Sequence, residues 1–144
     1  MLIKCTSDSV NTLPLSLRCM GETENTDFSF LNIGHEYVVY GVMFFPCRLD
    51  YLVSLEGGNP VWIPSDFFEI IDSTLYFNWS ICITQIDDNY RVLHDSFKIQ
   101  ALIGYSELVT SMSHYTGILE RESEDLRTFF EEKKKIDEWQ LTHY

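Results

Sequence analysis

Three observations predict an α+β fold for this 144-residue chain: a small antiparallel sheet or partly open small barrel, with C-terminal helices packed on it. Between Gly34 and Asp72 stand three of the four prolines and four of the seven glycines, and they separate short runs of β-branched and aromatic residues. From Leu75 to Ile83, and again from Phe97 to Ile103, apolar residues recur at every second position, which is the period of a strand. After Gly104 the spacing becomes helical and serines stand at candidate caps. We expect one domain over 1–144, mainly β over 1–104 and mainly α over 105–140. A chain of this length buries roughly 68–70% of the surface it exposes when unfolded, enough for a core without staples.

Leu2–Cys5 reads as an edge strand. Leu13, Leu15 and Leu17 alternate around Pro14, which predicts another short or edge strand, because proline cannot donate to a central ladder. Gly21–Asp27 is a polar loop, and Phe28–Ile33 an extended segment leading to a turn at Gly34. Glu36–Phe45 is apolar almost throughout, as suits one strand covered on both faces, with a bend or close backbone approach at Gly41. Asp50–Glu56 is the next strand, with Tyr51, Val53 and Leu55 on one face and Leu52 and Ser54 on the other. Glu56-Gly57-Gly58-Asn59-Pro60 is a turn, Val61–Ile63 a strand stopped by Pro64, and Ser65–Phe68 one helical turn capped by Ser65. Glu69–Asp72 is extended again.

Leu75–Ile86 has the cleanest alternation in the chain and predicts a half-buried strand. A turn at Asp87–Tyr90 follows, then a hairpin return through Arg91–Leu93 and a strand from Phe97 to Ile103. Ser106, Ser113 and Ser123 cap three helices ending at Ser111, at Glu120 and near residue 140. The last has Glu124 and Asp125 in its first turn and Lys133–Lys135 towards its end, as the macrodipole favours. Leu126, Phe129, Phe130 and Ile136 form its packed stripe, with Arg127–Glu131 and Glu131–Lys135 as i,i+4 pairs outside.

The short strands, the Gly57–Pro60 turn, Trp62-x-Pro64 and the single helical turn together resemble a Src-homology-3-like barrel over Gly34–Asp72. That resemblance implies an acidic loop and an aromatic groove for a peptide. Tyr37, Tyr40, Tyr51, Trp62 and Phe67 match such a groove by type only, so no groove residue is carried over.

The net charge is −12, and it is unevenly distributed. Residues 20–90 hold eleven acids against Arg48 alone, whereas residues 91–144 hold ten acids against seven bases. So negative a surface repels phosphate backbones and speeds encounter with basic partners, which argues against direct nucleic-acid binding. No apolar run reaches the ~20 residues of a membrane span, and the start lacks a secretory signal, so no membrane contact and a cytoplasmic location are expected.

Chemistry is not spelled out. His94-Asp95-Ser96 are chain neighbours, and neighbours on an extended chain point to opposite faces, so they do not make a triad. Asp87, Asp88 and His94 lack calcium-loop spacing, and no histidine pair has metal-ligand spacing. Cys5, Cys19, Cys47 and Cys82 include no Cys-x-x-Cys pair and read as buried, reduced thiols. We expect no catalytic residues, no metal and no cofactor: a protein that is not an enzyme.

In size, acidity and construction, and in GHEYVVYG (34–41), WIPSDFFEIID (62–72) and ALIGYSELV (101–109), the chain resembles small bacterial immunity proteins of contact-dependent growth inhibition and other polymorphic toxin systems. The resemblance implies that a monomer binds and neutralises one cognate toxin domain, a basic nuclease. The contacts expected on this basis are Glu22, Glu24, Asp27, Glu56, Asp87 and Asp88, with Tyr90 as an aromatic anchor. The alternatives are a Src-homology-like peptide-binding adaptor and an acidic nucleic-acid mimic of a mobile element.

Overall fold

The computed structural model describes residues 1–56 and 58–143. β1 (Leu2–Cys5) lies between β2 (Glu36–Val38) and β6 (Phe68–Asp72) in a three-stranded antiparallel sheet. A five-stranded antiparallel sheet has the order β5 (Pro60–Pro64), β4 (Leu49–Ser54), β3 (Gly41–Phe44), β8 (Ala101–Gly104) and β7 (Ser80–Ile83). The helices are α1 (Arg91–Phe97), α2 (Ser106–Thr110), α3 (Met112–Leu119) and α4 (Ser123–His143). The expected α+β class therefore holds, in its sheet form. Neither sheet closes, because the strands of Gly34–Asp72 are divided between the two and β6 pairs with β1.

The division occurs within two residues. Val39 N–H donates to Met1 O in the first sheet, and Tyr40 N–H donates to Leu52 O in the second. The single strand expected over 36–45 is thus two strands, and β1 is central rather than an edge. Val42, Tyr51, Val53 and Ile63 pack beneath the three-stranded sheet, while Met43, Leu52 and Leu102 face the helices. Strands β3 and β4 are covered on both faces, which accounts for their continuous apolarity. Gly41 and Gly104 are cross-strand partners, and a Cβ on either would fall 2.7 or 2.6 Å from Leu108 Cδ2. The paired glycines let α2 seat Leu108 against the sheet.

Several expected elements take other forms. Val10–Thr12 and Leu15–Leu17 are 3₁₀ turns, not an edge strand; Leu13 is buried between them while Leu15 is exposed. Arg18 holds these turns through Leu13 O and Val10 O. Phe28–Ile33 turns back on itself, with Leu31 N–H donating to Phe28 O. Ser65–Phe67 is the expected single turn, but its cap is Pro64 and no side chain caps it. Gly57 of the expected 56–60 turn lies outside the described residues; Gly58 N–H reaches Leu55 O at 2.6 Å.

In 75–86 only Ser80–Ile83 is strand, and its faces are inverted: Cys82 is buried while Ile81 and Ile83 are exposed. Alternation marks two unlike faces without saying which is covered. Residues 91–97 form a helix rather than a hairpin return, ending at Lys98 in the left-handed region (φ 60°). Ser106 makes no side-chain cap; Ser111, not Ser113, caps α3 by accepting from His114 N–H. On α4, Phe129 and Ile136 are fully buried and Phe130 is exposed. Its ion pairs are Lys133–Asp137 at 2.6 Å and Lys135–Glu132 at 3.0 Å, in place of those expected. Gln140 joins the layers, accepting from the Met1 nitrogen (2.7 Å) and donating to Asp72 (2.8 Å). Cys5 and Cys82 are buried as expected, but Cys19 and Cys47 are exposed.

Candidate partner-binding site

The seven expected contact residues fall in three parts of the fold: the loop before β2, the turn after β4 and the turn before α1. Glu24 and Asp27 are exposed, with Glu24 paired to Arg18 at 3.0 Å. Asp27 accepts from the Ser29 N–H, and its hydrogen bonds with Ser29 hold its carboxyl below the usual range. Glu56 is exposed, 3.9 Å from His35 Nδ1. Asp88 is open, its side chain 94% exposed, and lies 3.5 Å from Arg91 Nη2. The other three serve the fold. Asp87 closes its turn by accepting from Asn89 and Tyr90 N–H. Tyr90 is 1% exposed and its hydroxyl donates to Leu108 O at 2.6 Å, so it is a core residue and offers no ring to a partner.

Glu22 is part of a nearly buried ion cluster. Arg48 directs all five N–H donors to protein acceptors: Leu17 O, both oxygens of Glu22 and both of Asp50. The two carboxyls shift in opposite directions. Burial would raise Glu22, but its hydrogen bonds to Arg48, the attraction of that charge and its backbone hydrogen bonds together outweigh burial and hold it low. Burial dominates at Asp50 and, with Glu22 nearby, pushes it up to about 6 despite Arg48. Since the Arg48 donors are all engaged, the hollow of about 320 Å³ beside them is no anion site.

A concavity of about 850 Å³ lies where β2 and the end of β4 face α4. Its strand wall has an open edge. Cys5 N–H donates to His35 O and Val39 N–H to Met1 O, so the odd residues of β2 bond to β1. The N–H and C=O groups of Glu36 and Val38 therefore point away from β1, towards the groove. The apolar lining includes Val38, Leu55, Phe130 and Leu141. Four carboxylates (Glu36, Glu56, Asp137, Glu138) stand against Lys133 and Lys134. Asp137 accepts from the Tyr40 hydroxyl and from Lys133, both at 2.6 Å, and Lys133 sits 5.6 Å from the Tyr40 ring centroid. That leaves Glu36, Glu56 and Glu138 against Lys134, a net negative rim around an apolar trough beside a strand edge with no partner among the described residues.

Of the expected contacts only Glu56 lines this groove. Sequence reasoning missed Glu36, Val38, Phe130, Glu138 and Leu141. The signal on α4 was present: 130, 133, 134, 137, 138 and 141 follow helical spacing and define one face. The open edge of β2 carried none, because it depends on which strand β2 leaves unpaired. Among the described residues, no three His, Cys, Asp or Glu are grouped to hold a metal ion, and no helix is long and apolar enough to cross a membrane. No protein-family model, curated protein or solved structure matches the chain.

Proposed function

We propose that this protein is an immunity-type inhibitor that acts in the cytosol by binding one basic toxin domain, with the β2–α4 groove as its contact site. The observation that carries the reading is the groove's composition: an acidic rim, an apolar trough, and backbone groups of Glu36 and Val38 with no partner among the described residues. A basic, partly apolar segment matches all three, the backbone groups by strand addition and the rim by charge. The resemblance of 34–41, 62–72 and 101–109 to immunity proteins supports the same reading.

The test is co-expression with the product of the reading frame directly upstream, scored by rescue of growth, followed by association kinetics on the purified pair. Reversing Glu36, Glu56 and Glu138 to lysine is expected to slow association by about tenfold or more at low salt and to flatten its salt dependence. Asp88→Lys, on a different face, is expected to change the rate little. Equal effects of the two would place the contact elsewhere on the acidic surface. If no toxic activity is rescued, the inhibitor reading falls.

A further inference from the structure

Strand β7 is an edge, paired only with β8. Thr84 N–H donates to Gln100 O in the same register as Cys82↔Leu102 and Ser80↔Gly104, so the even residues bond to β8. The N–H and C=O of Ile81 and Ile83 therefore point outward, with no partner among the described residues. Natural edges are usually protected by lysine, proline, a bulge or a covering segment. Ser80-Ile81-Cys82-Ile83 has no charge or proline, and its register with β8 is unbroken. Its outer side chains are open, Ile81 58% and Ile83 43% exposed. They share a sheet face with Phe44 and Ala101, and with these and His94 they line a shallow hollow of about 380 Å³.

Charge selects the occupant. A chain of net charge −12 repels a second copy over most of its surface, yet Ser73–Ile86 contains no charged residue. The flanking segment, 87–98, is close to balanced, with Asp87, Asp88 and Asp95 against Arg91 and Lys98. A basic partner has little to attract it here, whereas a second copy meets a neutral, apolar edge with its own pattern of hydrogen-bonding groups. We infer that two copies pair β7 with β7 antiparallel about a twofold axis at Cys82, joining the two five-stranded sheets into one. Ile81 of each copy then faces Ile83 of the other, and the outward N–H and C=O groups of both residues are satisfied reciprocally, as an isologous contact requires. Cys82 itself points into the core and takes no part. No residue of β7 lines the β2–α4 groove, so each copy keeps its groove and a partner complex has two of each chain. This inference is independent of the inhibitor reading, since its test needs no partner.

Sedimentation velocity on the full chain from about 1 to 100 μM is expected to show a monomer–dimer equilibrium. Ile81→Lys with Ile83→Lys is expected to weaken it by about a hundredfold or more, because each change enters the contact twice. The milder Ile81→Thr, which keeps β-branching, is expected to weaken it measurably with an unchanged circular dichroism spectrum. Leu15→Lys, at another exposed apolar site, is expected to leave it unchanged. A wild-type chain that stays monomeric at the highest concentration overturns the inference. So does a dimer that survives both isoleucine variants.

Discussion

Replacing Arg48 by methionine is expected to destabilise the fold by about 3–5 kcal/mol, read as a lowered midpoint of urea unfolding at unchanged slope. Arg48 is the only lysine or arginine between residues 20 and 90, and its side chain is almost wholly buried. It holds the Glu22 loop to the β3–β4 connection, and its charge offsets two carboxylates that would otherwise face each other out of water. Methionine keeps much of the volume and removes the charge, so the loss reports uncompensated anions rather than a cavity. If that cause is right, adding Glu22→Leu and Asp50→Leu should recover most of the stability, since a buried ion cluster replaced whole by apolar groups is often neutral. A single variant within about 1 kcal/mol of wild type would instead mean that water reaches the carboxylates and satisfies them.

The same cluster fixes a pH dependence. Asp50 has a folded pKa of about 6, above its ordinary 3.8, so its contribution favours folding below about 4 and is lost as pH rises through 6. Glu22 is held below its ordinary 4.5, so its contribution is present above that value and lost as pH falls. Asp72, held at about 2 chiefly by the Thr74 backbone N–H and by Gln140, adds a further loss below 3.8. Unfolding free energy is thus expected to peak near pH 4, where the acid limb meets the fall that Asp50 imposes between about 4 and 6, and to level off above 6. Asp50→Asn should remove the decline on the alkaline side of that peak and leave the acid limb in place. An Asn variant with the same alkaline limb would move the assignment away from Asp50.

How far sequence reaches depends on whether a feature is local. The strands β1, β4, β5 and β6, the two faces of β4 and the buried Phe129 and Ile136 of α4 were legible because period and polarity act within one element. So was the tight approach at Gly41, which glycine in an apolar run announces. The break at Val39–Tyr40 was not, since Val39 and Tyr40 are ordinary strand residues and only pairing with different sheets separates them. The inverted face of β7 failed for a related reason. A half-buried strand normally hides its apolar parity, and here Ile81 and Ile83 are left out while Cys82 goes in. The acids divide the same way: charge count showed the surplus, but only the fold distinguishes Glu22, clasped by Arg48, from Glu56 on the groove rim. Conflict between local pattern and burial is expected where a surface is kept for something else, and β7 is such a place.

Gly117→Ala is the second large effect, and it runs against propensity. Within a helix this change ordinarily stabilises, because alanine is favoured over glycine by about 1 kcal/mol. In α3 it should instead cost about 2–4 kcal/mol, from overpacking and from polar groups left unpaired. A Cβ at 117 would overlap the Asp125 carboxylate and fall 2.9 Å from Asp125 Cβ, so either α4 must move away or the Asp125 side chain must leave. If it leaves, a buried relay goes with it. Asp125 Oδ1 lies 3.1 Å from His114 Nδ1, and His114 Nε2 lies 2.7 Å from the Tyr105 hydroxyl. With Asp125 accepting from Nδ1–H, Nε2 is left to accept from Tyr105, and the three groups tie α3 to the start of α4 and the end of β8. The double-mutant cycle separates this cause from a general loss of packing. Asp125→Ala alone should cost less than Gly117→Ala, and adding Gly117→Ala to it should then cost little or nothing, because the obstructing carboxylate is gone. Strictly additive costs would mean that the two residues do not compete for the same space, and the reason for a glycine inside α3 would have to be sought on its other neighbours.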